Sequence, residues 1–164
     1  CAHGGASAVS SNLPIDVAVA GTAITSFTVE WPANALSWED FRGKVLGATD
    51  PSTAAAGSAR KLILEQWKSL GLKSQPNTGE NGVHASASPY EALAERANWL
   101  GQDITTDPYG MGMIAAGGPA EGLTAWSADP AVNYEGNKGS IFDQLEDKDA
   151  DDCMLRAVEI AKQN

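Results

Sequence analysis

The stretch NGVHASASPYEALAERANWLG, residues 81–101, carries the clearest local reading in the chain. Ser88-Pro89-Tyr90-Glu91 is a helix start: Ser88 suits the N-cap, Pro89 the first helical position, and Glu91 completes a capping box. Leu93, Ala94, Ala97 and Leu100 recur at helical spacing and predict the buried face, and Gly101 predicts the stop. Val83 to Ser86 reads as a short strand leading into this helix. Residues 73–82, rich in Gly, Pro and Asn, read as the loop before it. His84, one of only two histidines in the chain, therefore sits between a loop and a capped helix.

Upstream, residues 44–62 read KVLGATDPSTAAAGSARKL. Ser37 with Asp40 opens a helix running to about Leu46, where Gly47 ends it. Asp50-Pro51 marks a turn. Residues 58–70 predict a second helix, with Leu62, Ile63, Gln66, Trp67 and Leu70 as its stripe and Gly71 as its end. Residues 23–31, AITSFTVEW, alternate and are rich in β-branched and aromatic side chains, which predicts a strand closed by Pro32. Residues 1–12 read as an extended arm. Residues 102–139 are rich in Gly and Pro and show no convincing period. Residues 140–146 and 151–162 predict two terminal helices, the last with acids at its start and Lys162 at its end, as the helix dipole favours.

The 164 residues suit one domain by length. The formal net charge of −10 repels nucleic acids and anionic membrane surfaces, so no nucleic-acid partner is expected. No apolar run approaches the ~20 residues of a membrane-spanning helix. A nucleotide site would have to concentrate a few of the 11 Lys and Arg locally. Cys1 and Cys153 match no metal spacing; they are either two thiols or one bridge from the N-terminus to the last helix. Asp147 to Asp151 superficially resembles a calcium loop. Asp152 stands where that loop needs Gly and Val158 where it needs Glu, so a solvated helix start is expected. Gly110-Met111-Gly112 lacks the strand and helix of a nucleotide fingerprint. His3 and Cys1 supply too few ligands for a metal site.

Read together, the two stretches resemble the active-site half of the nucleoside diphosphate kinase family. Leu46-Gly47, Thr49, Asp50-Pro51, Arg60, Asn81, His84, Ser86, Ser88, Glu91, Glu95 and Trp99 fall in that family's order. The resemblance covers about residues 23–101, and residues 81–101 carry most of its specificity. It implies His84 as the nucleophile of a two-step phosphoryl transfer, with Ser86 and Glu95 supporting the phosphohistidine. Arg60 and Thr49 would grip phosphates and Asn81 would contact sugar or phosphate. Mg²⁺ would arrive with the nucleotide. The residue types suit the chemistry: a neutral imidazole is a competent nucleophile near pH 7, and the transferring group needs preorganised donors around its oxygens.

The chain also departs from that pattern. No Lys-Pro dipeptide occurs, so the family's Lys-Pro-Asp-Gly-Val motif has no counterpart. Gly43 stands where the family has an arginine, flanked by Arg42 and Lys44. Ala85 replaces a glycine, Ala87 replaces an acid, and the stretch from Arg60 to Asn81 is longer. The resemblance implies an α/β (α+β) domain with part of a ferredoxin-like sheet under covering helices. Its division would be an arm (residues 1–22), the kinase-like domain (23–101) and a loop-rich, helix-ended C-terminal extension (102–164). An incomplete sheet exposes edges and an apolar face. The expected partners are therefore other protein chains, copies of this one or different, and a nucleotide. Two functions follow: a non-catalytic or weakly active accessory subunit of an assembly, or an active kinase working through phospho-His84. A start at Cys1 and the acidic balance suggest a processed organellar protein of a plastid or mitochondrion.

Overall fold

The computed structural model describes residues 25–164 and the backbone of Gly5–Val9. The arm and the segment at residues 13–20 lie outside the described residues for the most part. Strands β1 (Gly5–Val9) and β2 (Ser26–Glu30) form one two-stranded sheet. Strands β3 (Ala131–Tyr134) and β4 (Asn137–Ser140) form a second. Helices α1 (Trp38–Asp40), α2 (Ala59–Gln66), α3 (Pro89–Leu100), α4 (Pro108–Ala115), α5 (Ala120–Trp126), α6 (Ile141–Leu145) and α7 (Ala150–Gln163) complete the mixed helix-and-sheet chain. None of the described helices is long and apolar enough to cross a membrane.

The chain divides into two compact units. One comprises Cys1–Ser7, Thr28–Trp38 and Ser86–Asn164; the other comprises Ala8–Phe27 and Glu39–Ala85.

The first unit holds the main core. Tyr90 and Leu93 of α3 pack with Met113, Leu123, Ile141, Leu145 and Ile160 in one buried cluster. Residues 102–139 were expected to be irregular, yet they supply α4, α5 and the β3–β4 hairpin. Each helix there is only seven or eight residues long, too short for a periodic stripe to stand out. Its signals are caps instead: the Asp107 carboxylate accepts from the Tyr109 amide at 2.8 Å, and Pro108 takes the first helical position. Gly110 and Gly112 accordingly lie within a helix. In the antiparallel hairpin, Ala131 pairs with Ser140 and Tyr134 with Asn137, and Val132 and Tyr134 face the core.

α3 begins as expected. Ser88 Oγ accepts from the Glu91 amide at 3.1 Å, and the Glu91 carboxylate accepts from the Ala87 amide at 2.5 Å. The helix ends at Gly101 in the left-handed conformation, φ 67°. Its last turn differs from the expected buried face: Leu100 is 47% and Trp99 42% exposed. The Tyr90 hydroxyl donates to the Leu123 carbonyl at 2.6 Å, tying α3 to α5.

In the second unit, α1 continues into a π-helical turn, Phe41–Leu46, with Phe41 and Leu46 buried. The π turn closes with the Gly47 amide donating to the Arg42 carbonyl at 3.1 Å. Gly47 has φ 96°, and a Cβ there would stand 2.4 Å from Ser58 Oγ, so only glycine fits. α2 forms where expected but stops at Gln66, before Leu70. It has no buried residue, so its apolar stripe is not a core stripe. Val83 to Ser86 is not a strand; no partner strand pairs with it among the described residues.

Candidate functional site

The residues singled out from sequence fall into two sets. Thr49, Arg60, Asn81 and His84 belong to the unit containing α2; Ser86 and Glu95 belong to the unit containing α3.

Arg60 lies in the first turn of α2. Its Nη1 donates to the Gly47 carbonyl at 2.7 Å, and its Nε and Nη2 both donate to the Val83 carbonyl, at 3.2 and 3.0 Å. Val83 precedes His84 directly, so the guanidinium ties the end of the π turn to the histidine segment. Burial, then the charge of Arg42, lowers the Arg60 pKa from its ordinary value. A neighbouring cation means that positive charge is gathered here, as an anion site requires. Asn81 is 1% exposed, and its Nδ2 donates to the Thr49 carbonyl at 3.1 Å. The chain after Thr49 is set by Asp50, whose carboxylate accepts from the Ser52 amide at 2.8 Å. Thr49 itself is exposed and His84 half-buried.

In the other unit, Ser86 is fully buried and its Oγ lies 2.5 Å from Glu95 Oε2. The hydroxyl donates to the carboxylate. One turn of helix separates Glu91 from Glu95, so both carboxylates return to the segment before α3.

Three residues around that segment were not legible as site residues. The Trp38 indole N–H donates to the Ser86 carbonyl at 2.8 Å, and the ring is 4% exposed. The Asp149 carboxylate accepts from the Trp38 amide at 2.7 Å. The Asp147 amide donates to the Ala87 carbonyl at 2.9 Å. Residues 147–149, read as a solvated acidic stretch, thus help to fix the chain just after His84. Only the apolar bulk of Trp38 hinted at this, because contacts more than a hundred residues apart leave no local pattern. Among the described residues, no three His, Cys, Asp or Glu side chains group as a metal site would. Cys153 is buried with a free thiol; Cys1 lies outside the described residues.

Comparison with known proteins supports part of this picture. The chain is 44% identical over 66 residues to a nucleoside diphosphate kinase of Sorangium cellulosum (strain So ce56). The matched stretch is 38% of this chain and 38% of that protein, so the chain spans well under half the length of the curated relative it matches. No protein-family model matches the chain. No solved structure matches it. A partial relationship to nucleoside diphosphate kinases is what the match establishes.

Proposed function

We propose that this chain is a non-catalytic or weakly active nucleoside diphosphate kinase-like subunit with an accessory or structural role in a larger protein assembly. The observation that carries this reading is the bonding of Arg60. Three of its N–H donors are engaged by the carbonyls of Gly47 and Val83, so the group the resemblance assigns to phosphate already serves as a structural tie. Asn81, buried and bonded to the Thr49 carbonyl, supports the same reading. Gly43, where the resemblance places an arginine, supplies no side chain. A scaffold that keeps the loops and spends the ligand-binding donors on them is what loss of catalysis would leave. The partial ferredoxin-like sheet belongs to this proposal, as do partner chains covering it.

The Ser86–Glu95 hydrogen bond favours the second reading, an active kinase. In that case His84 Nδ1 or Nε2 would attack the γ-phosphorus of a nucleoside triphosphate, releasing the diphosphate, and phospho-His84 would then pass the group to a second diphosphate. Mg²⁺ would enter on the nucleotide's phosphates.

Incubation of the purified chain with Mg²⁺ and γ-labelled ATP separates the two. The scaffold reading expects negligible acid-labile label. Rapid labelling that His84→Ala abolishes would establish the kinase instead.

A further inference from the structure

In the unit formed by residues 8–27 and 39–85, α2 and the turn after it expose three leucines close in sequence to two lysines. Leu62 is 41% exposed, Leu70 54% and Leu72 42%, and none of the α2 side chains is buried. Lys68 and Lys73 are exposed in the same segment, and Lys68 Nζ stands 5.4 Å from the centroid of the Trp67 ring.

Charge identifies what it fits. The whole unit, residues 8–27 and 39–85, balances at six Lys and Arg against six Asp and Glu, but α2 and the turn after it carry Arg60, Lys61, Lys68 and Lys73 against one acid, Glu65. Residues 28–38 and 86–164 together carry five against fifteen, which equals the whole net charge of −10. The acidic unit has an outward helix face that carries one large apolar side chain among acids. On α7, Cys153, Ala157 and Ile160 are fully buried, while Asp151, Asp152, Leu155 and Glu159 are exposed at one-turn spacing. Leu155 is 62% exposed and is flanked along the helix by those acids.

We propose that the α2 face of one copy docks on the outer face of α7 of a second copy. Leu62, Leu70 and Leu72 would cover Leu155, and Lys68 and Lys73 would meet Asp151, Asp152 and Glu159. Two different faces are used, so the contact is head-to-tail, and each copy leaves one of each face open to a further copy. The inference stands on exposure and charge alone and holds whether or not His84 takes phosphate.

The test is sedimentation velocity of the full chain over a range of concentrations. At about 0.1 M salt the average mass rises with concentration. At about 1 M, where the Debye length shrinks to about 3 Å, association weakens roughly tenfold or more. Lys68→Glu with Lys73→Glu makes a chain that stays monomeric, and so does Asp151→Lys with Asp152→Lys, each with an unchanged circular dichroism spectrum. Mixing the two variants restores association, because each then offers the charge the other lacks. A wild-type chain that is monomeric throughout overturns the proposal, even if it captures a different protein. Association that both charge variants leave intact, or that mixing does not restore, overturns it as well.

Discussion

The guanidinium of Arg60 straddles the carbonyl oxygen of Val83, with Nε at 3.2 Å and Nη2 at 3.0 Å. A third donor, Nη1, reaches the Gly47 carbonyl at 2.7 Å. A planar fork can span two carbonyls in this way; an ammonium on a flexible stem cannot.

Arg60→Lys is therefore expected to lower stability by about 1–2 kcal/mol and Arg60→Ala by about 2–3 kcal/mol, despite the exposed setting of α2. Urea denaturation checks both. A neutral outcome for Arg60→Lys would mean that the charge, and not the fork, holds the segment.

Trp38→Phe retains the buried ring and removes the N–H that satisfies the Ser86 carbonyl. The expected cost is about 1–2 kcal/mol, against about 3–5 kcal/mol for Trp38→Ala, which also opens a cavity. Asp149→Ala acts on the same residue through its amide, so the double variant should cost less than the sum of the two singles. A double-mutant cycle measured by denaturation shows whether the two are coupled.

Glycine-to-alanine changes should have opposite signs at two helical positions. At Gly110 in α4 a Cβ would lie 1.8 Å from the Ile104 carbonyl oxygen, so Gly110→Ala is expected to destabilise by about 2–3 kcal/mol or prevent folding. At Gly43 in the π turn nothing lies within 4 Å, and Gly43→Ala should stabilise by about 0.4–1 kcal/mol through the unfolded chain. Thermal melts of both variants test the contrast.

Alkaline pH should unfold the unit that contains α3. Burial pushes the Tyr90 and Tyr109 phenols well above their ordinary 10.0, and burial pushes the Cys153 thiol above 9.0. The unfolded chain releases these protons first, so the folded state holds more of them in alkali. Their contribution is complete below about pH 9 and is lost as pH rises from there toward the folded values. Phenolate absorbance should appear together with loss of structure. In a Cys1→Ser background, alkylation of Cys153 should follow the same transition, and fast alkylation of the folded chain at pH 8 would contradict its burial.

Legibility followed the range of the interactions. The start and end of α3 depend on Ser88, Pro89, Glu91 and Gly101, all within one or two turns, and each took its expected part. α6 and α7 were likewise visible from their caps and acids. α4, α5 and the hairpin were not, because two short helices and two four-residue strands carry too few periods to read. In α2 the apolar stripe was visible at helical spacing, but none of the helix's residues is buried, a matter that spacing does not decide.

The same distinction separates the parts of the candidate site. The order of Thr49, Arg60, Asn81, His84, Ser86 and Glu95 along the chain was enough to suggest kinship with nucleoside diphosphate kinases, since residue type and spacing are one-dimensional properties. What these groups bond to was decided in three dimensions. Arg60 took backbone carbonyls, Ser86 took Glu95, and Trp38 and residues 147–149 closed on the segment after His84. Buried donors and acceptors must find partners wherever the packed chain offers them, and no spacing rule encodes a contact between residues 38 and 149.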